Sequence, residues 1–395
     1  MNPAVFSPFL RLASPADPTL EGLGRHLALP TAGILVFNPS PFSQSGPVAL
    51  PEGGLRVVTD VPGLGYAFEP TGAAGHRGSE AGPSREALRP IETARFSARL
   101  DERTGALASL VDRASGRELV APDGELNGRE GAVLSDGWVD PLDGVGVRLV
   151  ARRMGKSGPL TSRVTLYHEL PWADVENAAD SGTRPDEETR FDLSLAPEEV
   201  RREVAGGAVR VIPPVERVTM LRWLALRAAG ETVLFGAGAP ATVTATAAGR
   251  LTVHGAGANE RFRLALHRGL VLPDEPWRFG FGMTPLIAVP APGSGSLRLP
   301  TFGRLLDVAD PSVAVVGIKD ADDGIGLMAY LMDLAGLPRG VTVRPGVLTF
   351  DAAAETDLTE RDRGPLDPAP SGGVLVPLDA SGYAAFRLLG ARVAG

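Results

Sequence analysis

Residues 163–170 read Arg-Val-Thr-Leu-Tyr-His-Glu-Leu, and their alternation decides the fold class. Val164, Leu166, His168 and Leu170 recur every second position, so an extended chain places all four on one face. Residues 94–101 (ARFSARLD) repeat the pattern with Phe96, Ala98 and Leu100. Similar runs occupy 208–212, 218–226, 232–235, 261–266, 313–319, 340–343 and 346–350. Between them stand Gly, Pro, Asp and Asn, the residues that end strands and form turns. Only 17–29 and 326–337 carry a helical pattern, a weak one, and the second sits in β-like surroundings. The chain is therefore expected to be mainly β, with antiparallel sheets and little helix.

Composition narrows the chemistry. The 395 residues hold 47 acids against 39 bases, a net charge of −8, and no cysteine. A chain without cysteine has no disulfide framework, no thiolate nucleophile and no Cys-ligated metal site. The acidic balance argues against nucleic acid and anionic membranes as partners, since phosphate binding needs clustered basic charge. Lys156 and Lys319 are the only lysines, so nearly every positive charge is an arginine. The N-terminal residues lack a basic signal-peptide start and are interrupted by Pro3, Pro8 and Pro15, which leads us to expect a cytoplasmic protein. The uncharged stretches 27–51 and 279–297 are broken by Pro, Gly and Ser, so neither supplies the ~20 apolar residues of a membrane helix.

Three Gly/Pro-rich breaks suggest the organisation: 70–90, 290–300 and 361–373, the last read as a loop before the final strand. The expected layout is a tail at 1–30, a small abbreviated β unit at 31–70, a large central β-sandwich at 91–290 and a C-terminal β-sandwich at 301–395. No fixed-period repeat is visible, which argues against propellers and solenoids.

A search for catalytic constellations returns little. The five histidines, His26, His76, His168, His254 and His267, lack the second ligand at short spacing that a zinc site needs. No G-x-S-x-G elbow occurs, and the GxG triplets at 144–146, 236–238 and 324–326 read as turns. The acid run 186–188 reads as a solvated loop. One stretch has the look of a sugar contact: in 135–144 (SDGWVDPLDG), Asp136 and Asp140 flank Trp138, an arrangement in which a sugar ring stacks on the indole and acids take its hydroxyls. The competing reading is a polar turn around a buried tryptophan.

Several segments, taken in order, resemble the non-catalytic C-terminal region of glycoside hydrolase family 38, the α-mannosidases. They are 34–39 (ILVFNP), 60–66 (DVPGLGY), 104–112 (TGALASLVD) with 116–119 (GREL), 158–160 (GPL), Glu176-Asn177 with Asp180, 262–266 (FRLAL), 318–326 (IKDADDGIG), 357–360 (DLTE) and 386–388 (FRL). The resemblance spans about residues 31 to 390. It implies a large mutarotase-like antiparallel sandwich, a supersandwich, with smaller flanking β-sandwich units. Gly105 and Gly116 suit hairpin turns with positive φ, and Pro62 ends strand pairing after Val61. Gly63 stands where the family has a second proline, a change expected to relax that turn.

In the family, zinc and the nucleophilic Asp belong to an N-terminal catalytic domain; with about 30 residues before Ile34, that domain is expected to have no counterpart in the sequence given. No catalytic residue, cofactor or metal is assigned to this chain. The expectation is the carbohydrate-associated β region of an α-mannosidase, as a fragment, a split-gene subunit or a degenerate member, inactive alone and served by a separate catalytic chain. Its ligand would be a carbohydrate, mannose-containing by the resemblance. Two alternatives stay open. One is a stand-alone carbohydrate-binding protein using Trp138, Trp172, Trp223 and Trp277, of which Trp277 is the most loop-like. The other is a mutarotase-like epimerase using His168 with Glu176 or Glu216.

Overall fold

The computed structural model describes residues 6–70, 89–142, 144–156, 158–179, 188–255, 259–335, 338–379 and 382–394. The chain divides into two compact units, residues 76–283 and a second made of 1–75 with 284–395. His76, Asp180, most of the 70–90 break and most of the 186–188 acid run lie outside the described residues.

The 76–283 unit is a sandwich of two nine-stranded antiparallel sheets. One sheet carries the candidate site, and its strands in chain order are β1 (Val133–Leu142), β2 (Gly146–Gly155), β3 (Gly158–Tyr167), β4 (Ala173–Ala179), β5 (Glu199–Val204), β6 (Gly207–Val211), β7 (Trp223–Ala228), β8 (Glu231–Ala237) and β9 (Asn259–Arg268). Their spatial order is β1-β2-β3-β4-β9-β8-β7-β5-β6. The period of two works as the sequence predicts. Leu149 and Ala151, Val164 and Leu166, Ala173 and Val175, and Phe262 and Leu264 point inward and meet Phe96, Leu107, Phe191, Val243 and Leu251 of the opposing sheet in one core. Phe191 sits edge-on to Phe235 and Phe262, with ring centroids 5.0 and 5.3 Å away, the T-shaped geometry that a ring quadrupole favours.

The hairpin turns confirm two glycine assignments for different reasons. Gly105 has φ +69°, and a Cβ there would also lie 2.8 Å from Leu134 Cδ1. Gly116 has φ +67° with open space around it, so backbone conformation alone selects glycine.

The second unit shares a core between chain segments far apart in sequence. Residues 31–70 supply Leu35, Phe37 and Tyr66, and residues 301–395 supply Leu305, Val343, Val376 and Phe386. The four-stranded sheet shows why: Gly33–Asn38 pairs with Ile287–Ala291 on one side and Gly65–Pro70 on the other, which in turn pairs Phe302–Arg304. Residues 1–30, set out above as a tail, contain helices α1 (Ser7–Ala13) and α2 (Leu20–His26). Phe9 and Leu23 are fully buried, and Phe9 stacks on Tyr66 at 6.4 Å.

Several local expectations need correction. The helical pattern at 326–337 is the strand Leu327–Asp333, buried between two neighbouring strands, where every residue but Tyr330 is covered and a continuous apolar run no longer distinguishes helix from strand. The run 218–226 is two strands in different sheets, Val215–Met220 and β7, broken at Leu221-Arg222. His168 lies just past the end of β3, so it takes no part in the strand alternation. The break 361–373 contains the short strand Asp362–Pro365 and precedes three further strands. At Gly63 the backbone passes so close to its neighbour that a Cβ would lie 2.3 Å from the Pro41 carbonyl oxygen, which accounts for glycine there.

Candidate functional site

The site is the outer face of the β1–β9 sheet, opposite the core. A bulge between Leu134 and Asp136 resets β1 so that Asp136, Trp138 and Asp140 all turn outward. Val139 packs against the core instead. Strand register then lays outward residues in rows across the sheet. One row runs Asp140, Arg148, Thr165, Asp174, Arg263, Gly236, Trp223 over seven strands. The next runs Trp138, Val150, Arg163, Glu176, Arg261 over five. A third begins Asp136, Arg152, Thr161.

The two ends of this face differ. At one end, helix α3 (Glu275–Phe281) covers β7 and β8: Trp277 meets Trp223 edge-on at 5.4 Å, and Gly280 lies so close to Trp223 that a Cβ would sit 2.5 Å from its Cδ1. Beside it Arg263 and Asp174 are both buried and form a bidentate pair, Nε to Oδ1 at 2.6 Å and Nη2 to Oδ2 at 3.0 Å. Arg263 also donates to the Gly282 carbonyl at 2.8 Å and lies over the Trp172 ring at 4.5 Å. The Tyr167 hydroxyl donates to Asp174 at 2.8 Å. Burial pushes the Tyr167 phenol well up, and the Asp174 charge adds to it. For Arg263, burial works against the charge, yet Asp174 outweighs it and raises the pKa.

The other end is open. Arg148 faces Asp140 at 3.6 Å and Arg261 faces Glu176 at 3.4 Å, loose pairs with partly exposed side chains. Arg152 places its guanidinium over the Trp138 ring at 5.2 Å. Asp136 accepts from the backbone N–H of Gly137 at 2.9 Å. Val150, at the centre of this group, is 3% exposed beneath these longer side chains, as expected where arginine stems lie along apolar surface.

The structure thus brings Asp136, Trp138 and Asp140 onto one half-buried face, where Trp138 points away from the core. It does not assemble a four-tryptophan platform: Trp223 and Trp277 are buried, and Trp277 belongs to helix α3 rather than to a loop. The epimerase pairings are not brought together either. Register places Glu176 opposite Arg163, five positions from His168, and Glu216 is exposed on a strand of the other sheet. Sequence reading missed Arg148, Arg152, Arg163 and Arg261. Their signal was present as arginine at alternate strand positions, but which strands neighbour one another is not written locally.

Other motif residues prove to hold backbone together. Glu118 of GREL accepts from the N–H groups of Leu110 at 2.8 Å and Val120 at 3.0 Å. Asn177 turns inward to a buried network, donating to Asn127 at 2.7 Å and to Glu260 at 2.8 Å, while Arg129 pairs Glu260 at 2.5 Å. In the other unit the segments IKDADDGIG, DLTE and FRL meet around Arg387, which reaches Asp323, Asp362 and the carbonyls of Ile325 and Glu360.

Among the described residues, no three His, Asp or Glu side chains are placed to hold a metal ion. The described histidines that reach acids do so singly, His254 with Glu188 at 2.7 Å and His267 with Glu275 at 3.5 Å. Histidines placed singly beside one acid do not make up a zinc ligand set. No described helix is long and apolar enough to cross a membrane.

No protein-family model matches the chain, and no curated protein matches it in sequence. Solved structures do. An α-mannosidase from Enterococcus faecalis V583 is similar at TM-score 0.62 and 12% identity, covering 90% of this chain and 56% of that one. A protein in glycosyl hydrolase family 38 from Enterococcus faecalis is similar at TM-score 0.65 and 11% identity, covering 93% of this chain and 60% of that one. A galactose mutarotase-like protein from Lactobacillus casei ATCC 334 matches at TM-score 0.28 and 14% identity, a score too low to add to the fold assignment. The chain spans less than two thirds of the two enterococcal proteins, and over nine tenths of its own length it has the fold of that part of a family 38 α-mannosidase-type chain.

Proposed function

We propose that the chain is the carbohydrate-associated β region of an α-mannosidase-type glycoside hydrolase. The observation that carries this reading is the fold likeness over 90–93% of the chain to two such proteins. The motif order and the open polar face around Trp138 support it. In this reading hydrolysis of α-mannosides belongs to the complete enzyme, with zinc and the nucleophile in a catalytic domain that a separate chain could supply, and these residues line or brace the sugar cleft. A cytoplasmic location is part of the same proposal.

Two measurements test it. The purified chain, supplied with zinc, releases no mannose from an aryl α-mannoside, and it captures a family 38 catalytic domain in a pull-down. Mannose release by this chain alone, or failure of any such domain to bind it, overturns the reading. A stand-alone carbohydrate-binding protein is the second reading, favoured by Trp138 being outward and half-buried rather than in the core.

A further inference from the structure

The open end of the sheet face holds two guanidinium groups without a carboxylate. The Arg163 side chain makes no hydrogen bond or ion pair among the described residues, although its backbone pairs with Val150 and Glu176 in the sheet, and the Arg152 guanidinium has only the Trp138 ring. Their neighbours are already engaged: Asp140 by Arg148, and Glu176 by Arg261. Arg152 sits opposite Thr161, two positions from Arg163 on β3, so the two arginines are diagonal neighbours with backbone positions about 7–8 Å apart. Trp138 and Arg163 flank Val150 in one row, two strand spacings or roughly 10 Å apart. An indole, two planar cations without a carboxylate partner and one acid without a cation, Asp136, therefore share one stretch of the outer face around the apolar Val150.

We infer that this patch binds an anionic sugar, a ring bearing a carboxylate or phosphate, in preference to a neutral one. The anion lies between the Arg163 and Arg152 guanidinium groups, whose fork geometry matches carboxylate and phosphate oxygens. The ring rests on the exposed surface of Trp138, whose orientation Arg152 holds, and Asp136 accepts from a ring hydroxyl. This deepens the carbohydrate reading of the face and rests on it, but it is independent of whether the chain serves a mannosidase.

The test uses the full chain, with tryptophan fluorescence and calorimetric titration against D-glucuronate, mannose 6-phosphate, mannose and inorganic phosphate. The expected result is saturable binding of at least one of the two anionic sugars in the millimolar range, with mannose and inorganic phosphate each weaker by about tenfold or more. Arg163→Gln then weakens the anionic sugar by about tenfold or more, the size of a lost hydrogen bond to a charged group, while the urea midpoint stays unchanged. Equal binding of mannose, equal binding of phosphate alone, no saturation by either anionic sugar, or full affinity in Arg163→Gln each overturns the proposal. Mannosidase assays and pull-downs fail or succeed separately from this titration, so the two readings are told apart.

Discussion

The covered and open ends of one sheet face are built from the same materials and obey different rules. Under helix α3, Arg263 and Asp174 are buried, bidentate and supported by Tyr167 and the Gly282 carbonyl. A few strands away, Arg163 stands without a carboxylate and Arg148 meets Asp140 loosely. The difference follows from solvent. A charge removed from water must be compensated within the protein, whereas a half-exposed guanidinium keeps its hydration and is left available for an outside anion. Complete, buried pairing marks the covered end as structural, whereas the open end pairs loosely and leaves two guanidinium groups without a carboxylate for the proposed anion.

The largest effect that would break this contrast is at Arg263. Arg263→Leu leaves Asp174 buried beside Tyr167 with no cation, and unfolding in urea is expected to show a loss of about 3–5 kcal/mol for the 76–283 unit. If Arg263→Leu costs no more than Arg163→Leu, the distinction between the ends is wrong. Next comes the cover itself. Gly280→Val forces a side chain into Trp223, and a loss of about 1–3 kcal/mol is expected from overpacking.

A third test uses pH. The folded state holds Tyr167 protonated above the ordinary tyrosine range, while the unfolded chain ionises near pH 10. The unfolded state therefore binds fewer protons there, so stability falls as pH rises above about 10. Tyr167→Phe should flatten this alkaline loss, and denaturation midpoints between neutral and strongly alkaline pH measure it. Tyr66, also raised by burial, keeps part of the slope in the other unit. An unchanged slope in Tyr167→Phe would remove Tyr167 from the covered network.

The smallest expected effect sharpens the open end. Arg163→Leu and Trp138→Ala should each change stability by no more than ~0.5 kcal/mol, as surface substitutions do. A larger loss in either would place that side chain in the packing of the face and take it out of the set free to bind.

Much of this was legible in the sequence, unevenly. Arg163–Leu170 announced a β chain, and its inward residues Val164 and Leu166 are core, though His168 falls past the strand end because the alternation stops at Tyr167. Asp136, Trp138 and Asp140 stood out in the sequence as acids flanking a tryptophan; that they share one face of a strand came from the β1 register and its bulge. Arg163 was invisible as a site residue: its meaning depends on Trp138 and Arg152, which come from two other strands. The run at Leu327–Asp333 misled because a strand covered on both faces loses its alternation.

By itself the sequence determined what depends on a few consecutive residues: extended conformation from period-two alternation, positive-φ turns at Gly105 and Gly116, and the exclusion of thiol chemistry by the lack of cysteine. Tertiary structure alone decided which charges are satisfied. Arg263 finds Asp174 from 89 residues away, and Asn177 finds Glu260 from 83. Those partners are set by strand order and register, and burial, which neither residue's neighbours in the chain specify, determines whether a charge must have a partner at all.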